Sequence, residues 1–421
     1  MAAVIAPVTD EEHKELARLV LRAFSSSLFH QRIFGKVDSA THVQFLAVQA
    51  RSALQDPRCK MVKATRDGKM VGFARWTTPK DADTHAEQKA GNATSIWSQD
   101  GHYPPGSEIN LAKELLEVPE KELLEPHFRI DMLAVDPGVQ GARVGSTLLR
   151  HVCRQADDLG VAVYLRASPE ALSLYRRFGF RQHGEPHRAA SDPKLALYPT
   201  LRKPLELVPA TVRDLAVLAP IHRRAFAPMP VTRYLCTSVD PAVLEESYQC
   251  HWAKVIEDAQ GQYRGNSVMT VARQGDQVLG FVWSVRQPAA KDWPPVTSTQ
   301  QEYPIPAGFD PVRKRDFDAM LMRHAQSIPF MRWTLLAVSV DPAAQGAGVG
   351  KRLVHSVIKQ AASEGLPVVL EAEEERIPMY LSGGFELFGD ALVAAEDSTV
   401  RLWPMVLKTR KASTDLESAQ T

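Results

Sequence analysis

Two segments of the chain are suited to chemistry, Gln140-Gly-Ala-Arg-Val-Gly145 and Gln345-Gly-Ala-Gly-Val-Gly350. Each follows an apolar run ending in Val-Asp-Pro, at 135–137 and 340–342, and each opens an amphipathic stretch. A turn of small residues running into a helix N-terminus aims several backbone N–H groups at one point, where the helix dipole adds positive potential. Such a nest suits a phosphate or pyrophosphate. A tight turn without a ligand is the plainer alternative, and recurrence of the turn in one context favours the phosphate. Spacing narrows the ligand further. A P-loop needs GxxxxGK[ST], but Gln345 and Arg352 stand where its first Gly and its Ser/Thr belong. A dinucleotide fingerprint needs GxGxxG, whereas Gly346, Gly348 and Gly350 run GxGxG. Nucleotide hydrolysis and nicotinamide binding are both disfavoured.

Three further side chains draw notice. Asp131 interrupts an apolar run (Ile130, Met132, Leu133). A carboxylate there faces a cleft or is paired, with Arg129 or Arg166, because burying it alone is expensive. Tyr175 and Tyr380 each begin a Tyr-x-x-x-Gly-Phe string; packing on an amphipathic helix is their plain reading, with Leu172, Leu174 and Phe178 around Tyr175. No Ser-His-Asp or Cys-His arrangement is recognisable. The four cysteines (Cys59, Cys153, Cys236, Cys250) share no CxxC spacing, which argues against a zinc site or a disulfide framework.

The elements that position these residues come as a repeat. At an offset of 205 residues, 20 of the 46 positions from 135 to 180 are identical, far above chance, and a unit of that length is a whole domain rather than a solenoid repeat. Upstream the match is looser. Thr9 with Glu12 and Thr211 with Asp214 read as capping boxes opening a helix that ends at Arg-Ala-Phe, 22–24 and 224–226. Hairpins follow, 63–76 about Asp67-Gly68 and 268–285 about Gln274–Asp276. Variable inserts at 77–128 and 287–330 come next, each with a helical pattern and a Tyr-Pro. The remainder reads strand (129–135), turn, helix (144–159), strand (161–167), helix (169–178), strand (195–201), and the second half repeats that order. Strands alternating with helices predict an α/β (α+β) domain with a partly parallel sheet. The expected division is 1–204 and 205–408, with a polar, disordered tail at 409–421.

Composition sets bounds on the function. Fifty basic and 49 acidic side chains leave a net charge of +1, without the Lys/Arg excess of a nucleic-acid binder. No apolar run approaches the roughly 18 residues of a membrane span. The acidic start is neither a secretory signal nor a transit peptide. A globular, cytoplasmic protein with no metal is expected.

Strand–VDP–QGAxVG–helix, then Leu165-Arg-Ala-Ser or Leu370-Glu-Ala, then Tyr-x-x-x-Gly-Phe resembles the GNAT superfamily of N-acetyltransferases from its fourth strand to its fourth helix. Its acetyl-CoA loop is Q/R-x-x-G-x-G/A; the second copy matches throughout, and the first departs at Arg143. The hairpins resemble the family's second and third strands, so the likeness covers nearly the whole chain as two GNAT units in tandem. The long insert after the third strand looks most like fungal members.

The resemblance implies a mixed, centrally splayed sheet and acetyl transfer to an amine by direct attack. Acetyl-CoA would lie where the fourth and fifth strands separate. Its pyrophosphate would meet Gln140, Gly141, Ala142, Arg143, Val144, Gly145 and Ser146, or Gln345, Gly346, Ala347, Gly348, Val349, Gly350 and Lys351. Main-chain groups at Leu133 and Val135, or at Val338 and Val340, would hold the pantetheine and polarise the thioester. Tyr175 and Tyr380 stand where many GNAT enzymes place the Tyr that protonates the departing sulfur, and Asp131 where some carry a catalytic side chain, as base or ammonium anchor. The second copy has Leu336 at that position; its candidates, Glu371 and Glu373–Glu375, belong to a charge run that reads as a solvated loop. The acceptor itself is not readable from the sequence; a small-molecule amine is the first expectation, in a pocket walled by Trp97, Tyr103, Trp293 and Tyr303 of the inserts. A CoA-binding module with one or both units non-catalytic is the alternative, as is transfer to a protein amine or a hydroxyl. Oligomeric state is not legible.

Overall fold

Thr9 and Thr211 open the two halves in the same way. Each forms the capping box expected of it, with Glu12 and Asp214 reaching back to the cap amide, and each leads through a short 3-10 turn into a helix. The computed structural model describes residues 3–79, 103–117, 123, 125–236, 240–260, 266–293 and 308–408. The chain divides into two compact units, Met1–Glu206 and Leu207–Thr421. Trp97, Tyr303 and the segment 409–421 lie outside the described residues.

The first unit runs β1 (Val4–Pro7), α1 (His13–Phe24), α2 (Leu28–Phe34), α3 (Ser39–Gln55), β2 (Cys59–Arg66), β3 (Lys69–Thr77), α4 (Ile109–Leu116), β4 (His127–Val135), α5 (Val144–Asp158), β5 (Ala162–Ala167), α6 (Leu172–Arg177), β6 (Arg181–Gln182), β7 (His187–Arg188) and β8 (Ala196–Arg202). The second runs β9 (Leu205–Pro209), α7 (Leu215–Phe226), α8 (Pro230–Leu235), α9 (Pro241–Gln260), β10 (Ser267–Gln274), β11 (Gln277–Gln287), α10 (Pro311–Ser327), β12 (Arg332–Val340), α11 (Val349–Glu364), β13 (Val368–Ala372), α12 (Ile377–Leu381), β14 (Glu386–Leu387), β15 (Leu392–Val393) and β16 (Arg401–Leu407). The sheets are ordered β1-β2-β3-β4-β5-β8-β6 and β9-β10-β11-β12-β13-β16-β14, with β7 and β15 added on β8 and β16. Only β4–β5 and β12–β13 are parallel among the registered pairs; the others are antiparallel. These are mixed sheets flanked by helices.

Alternation along the strands divides each core into two faces. In β4, Met132 and Ala134 join the cluster under α1 and α3, with Leu16, Leu19, Leu46 and Ala50. On the other face α5 buries Val144, Leu148, Leu149 and Val152. Gly72 on β3 lets α5 come close: a Cβ there would stand 2.7 Å from Val144 Cγ1 and 2.9 Å from Leu148 Cδ1. Gly72→Ala therefore overpacks the contact that seats the N-terminus of α5. It is expected to cost about 1–3 kcal/mol, read as a lower melting temperature of the first unit.

One irregularity recurs in both sheets. Arg75 faces Met132 and Trp76 faces Ile130, so Asp131 is an extra residue in β4. Trp283 faces Ala337 and Ser284 faces Leu335, which leaves Leu336 as the extra residue in β12. Each is a β-bulge, which bends the strand and strengthens its twist.

Candidate active site

Immediately beyond each bulge the sheet opens. Pairing of β4 with β5 is confined to His127, Phe128 and Arg129, and that of β12 with β13 to Trp333, Thr334 and Leu335. The Asp136 amide donates to Val71 O and the Asp341 amide to Leu279 O, both at 2.9 Å. Main-chain groups alternate in direction along a strand. With 136 turned toward β3, residues 133 and 135 turn theirs into the gap, and 338 and 340 do the same in the second unit. The main-chain groups of Leu133, Val135, Val338 and Val340 thus face the gap.

The phosphate loops stand at the head of this gap. Gly141 and Gly346 have φ of +82° and +83°, and a Cβ on either would meet nothing within 4 Å, so the loop's outer face is open. The next left-handed position holds Gly348 (φ +98°) in the second unit and Arg143 (φ +64°) in the first. Arg143 therefore keeps the backbone of the glycine it replaces, at a cost of about 1–2 kcal/mol. The first amides of α5 and α11 (Val144–Ser146 and Val349–Lys351) have no intrahelical acceptor, as at any helix start, and remain available to an anion.

Two braces hold each loop. Gln140 Nε2 donates to Val135 O (3.4 Å) and Gln345 Nε2 to Val340 O (3.2 Å), so both glutamines fasten the loop to its strand by their side chains. Asp136 accepts from the Gly138 amide (3.0 Å) and from Arg22 Nη2 (2.9 Å); Asp341 accepts from Ala343 (2.9 Å) and Arg224 Nη2 (2.6 Å). The Arg of each Arg-Ala-Phe thus clamps the Val-Asp-Pro turn. The sequence showed both motifs but not that they meet.

Tyr175 and Tyr380 sit in matched settings, edge-on to Phe180 and Phe385 with centroids 5.5 and 5.6 Å apart. Tyr175 is buried and Tyr380 half-buried. Burial pushes the Tyr175 hydroxyl up, with a smaller push from Cys153, and pushes Tyr380 up against the opposing pull of Arg376. Both phenols stay protonated.

Asp131 is paired. Thr77 Oγ1 donates to its Oδ2 (2.9 Å), Arg129 Nε stands 3.1 Å from Oδ1 and Arg75 Nε 3.8 Å from Oδ2. Of the two pairings considered for it, the one with Arg129 is present. Arg166 instead donates to Leu115 O and Leu116 O at the end of α4 (3.1 and 3.3 Å).

The glutamates of the second unit do not form a uniformly solvated run. β13 extends to Ala372, so Glu371 is a strand residue, with its side chain only 14% exposed and His324 Nε2 of α10 3.6 Å from Oε1. Burial pushes the Glu371 carboxyl up to about 7, against the pull of Arg332. Glu373 is buried and accepts from the Val231 amide (3.2 Å); Glu374 and Glu375 are exposed. The fold also brings together a Ser–His pair that the sequence did not suggest. Ser339 Oγ is 2.8 Å from His222 Nδ1, beneath Phe226, Tyr248 and Trp252. Burial, with His251 adding to it, lowers His222 to about 3. Ser339 has no exposed surface, so the pair serves packing and cannot reach a substrate.

Of the four aromatics expected to wall an acceptor pocket, Tyr103 and Trp293 are described. Tyr103 packs on the first core and donates to Glu117 Oε1 (3.0 Å). Among the described residues no group of three or more His, Cys, Asp or Glu could hold a metal, and no helix is long and apolar enough to cross a membrane.

An acetyltransferase (GNAT) domain model matches residues 117–191, and an acetyltransferase (GNAT) family model matches residues 236–385. No curated protein matches the chain. Among solved structures, a histone acetyltransferase HPA2 and related acetyltransferase from Corynebacterium glutamicum is similar at 20% identity and a TM-score of 0.34, over 48% of this chain and 97% of that one. A PaiA N-acetyltransferase from Thermoplasma acidophilum, in complex with coenzyme A, is similar at 14% identity and a TM-score of 0.31, over 48% and 98%. With one GNAT model on each unit, what the sequence repeats is that domain, and the chain is an acyltransferase built of two tandem GNAT domains.

Proposed function

We propose that the chain moves an acetyl group from acetyl-CoA to the primary amine of a small molecule by direct attack on the thioester. The observation that carries this reading is the unpaired edge of β4 and β12, which leads straight to an open loop of amides at a helix N-terminus. The loop amides would take the pyrophosphate, and the gap-facing main-chain groups would take the pantetheine and polarise the carbonyl. The neutral amine nitrogen bonds to the carbonyl carbon, the tetrahedral intermediate collapses, and the C–S bond breaks. Tyr380 or Tyr175 gives its phenolic proton to the sulfur as the thiolate forms, and the proton shed by the newly acylated nitrogen returns to the phenolate through water. Burial keeps each phenol protonated, so the proton is in place when the sulfur departs, while the raised pKa makes the phenol a weaker acid.

Asp131, expected as base or ammonium anchor, has its oxygens committed to Thr77, Arg129 and Arg75. We therefore assign it to holding the bulge. The near-zero net charge agrees with a small acceptor and no nucleic acid. All four cysteines are free, as suits the cytoplasm.

The test is release of free thiol from acetyl-CoA over a panel of amines, repeated with Tyr175→Phe and Tyr380→Phe. The unit that turns over is expected to lose about 100-fold in kcat with CoA affinity retained. Full rates in both variants would remove tyrosine from the mechanism, and an absence of thiol release with every amine would remove acetyl transfer.

A further inference from the structure

The two units differ at the first residue of the fifth strand beyond its parallel pairing in the second unit. That residue is Glu371, directly after the last registered pair, Leu335 with Leu370; the first unit has Arg166 at the equivalent place, tied to the end of α4. Along β13, Glu371 shares a face with Val369, which packs on Ile328 just after α10. Its carboxylate therefore points to the α10 side of the sheet, where His324 meets it.

Among the described residues, Arg332 and His324 are the charged or titratable groups that face Glu371 from the elements packed against it. Arg332 of β12 is fully buried and already engaged, donating to Pro288 O, Phe330 O, Ala325 O and Gln287 Oε1 at 2.7–3.3 Å. His324 of α10 is held neutral by burial and then by Arg332. Its other surroundings are a pocket of about 360 Å³, lined also by Ser327, Ile328 and the turn 388–392. The one carboxylate among the lining residues, Asp390, gives that pocket a polarity suited to a cation.

The geometry points to Glu371 as the general base of the second unit, taking a proton through His324 from an acceptor that enters this pocket as an ammonium ion. The inference rests on the acetyl-transfer reading and deepens it. The amine gives its N–H proton to His324, His324 passes its other ring proton to the carboxylate, and the free amine attacks. A carboxyl poised at about 7 lies where a base at neutral pH works best. The first unit, with Arg166 in this place, has no such relay, so turnover belongs to the second unit.

Glu371→Gln and His324→Gln decide the matter. Each is expected to lower kcat/KM at pH 7 by about 100-fold, with CoA affinity by calorimetry and melting temperature unchanged. The acidic limb of the wild-type pH–rate profile, with an apparent pKa near 7, should vanish in Glu371→Gln. Independently of turnover, a carboxyl infrared band titrating near pH 7 should be present in the wild type and absent in Glu371→Gln. Survival of the rate and of the acidic limb in Glu371→Gln would overturn the base and leave acetyl transfer standing. A wild type that acetylates no amine would overturn both, and a band that titrates identically in the two proteins would overturn the assignment to Glu371.

Discussion

Asp157→Ala is expected to destabilise the first unit by about 3–5 kcal/mol, the usual result of stripping one partner from a buried ion pair. Asp157 at the end of α5 receives Arg202 of β8 through both terminal nitrogens, at 2.5 and 3.0 Å, with side chains 3% and 6% exposed. Arg202 Nε also donates to Phe178 O at the end of α6 (2.9 Å), so one guanidinium ties α5, β8 and the helix that carries Tyr175. Removing the carboxylate leaves that cation buried without its counter-charge. The second unit has Ala362 and Leu407 at the equivalent positions, which shows that the fold does not need the pair itself. The double variant Asp157→Ala/Arg202→Leu is therefore expected to recover at least half of the loss. Urea unfolding of the single and double variants measures both, and an additive double variant would refute the argument.

The second large effect concerns binding rather than stability. Gly348→Val is expected to weaken CoA binding by the second unit roughly 100-fold, the value of about two hydrogen bonds to a charged group at 1.5–3 kcal/mol each, partly retained. Arg143 shows that a side chain is tolerated at φ +64°, but Gly348 sits further out at +98°, and a β-branched residue resists that region most. Relief of the strain must come from the loop, which turns the amides of Val349 and Gly350 away from their common focus. The first unit's loop, with Gly141 and Gly145, stays untouched as an internal reference. Calorimetry with CoA checks this, and an isotherm indistinguishable from wild type would refute it.

Much of this architecture was legible because its signals are local. The capping boxes need four consecutive residues, the Asp67-Gly68 turn two, and both appear as read, with φ of +51° and +74° in the turn. The strand–loop–helix register came from the repeat, since a loop that keeps Gly at 141 and 346 and at 145 and 350 has its backbone constrained in both copies. What escaped is non-local. Arg22 and Asp136 are 114 residues apart, and nothing in either motif names the other. The pairing of Asp131 with Arg129, one of two weighed for it, lies two residues away in the chain; that with Arg75 depends on strand order. Glu371 was hidden by its neighbours: three exposed or capping acidic residues made a solvated run of what is, at its first member, a buried strand position under α10.

The bulge at Asp131 has a consequence that no substitution there would reveal. Side chains and main-chain groups of β4 obey a two-residue parity, and the extra residue resets it once, between Arg129 and Met132. Deleting Asp131 would leave Ile130 and Met132 as consecutive residues opposite Trp76 and Arg75, a regular ladder with Met132 and Ala134 still under α1 and α3, so what the deletion removes is the bend and added twist that precede the gap. Replacing Asp131, by contrast, keeps the count intact. The chemistry of this strand is thus written in the number of its residues as much as in their identity, and Leu336 keeps the same count in the second unit with no carboxylate at all.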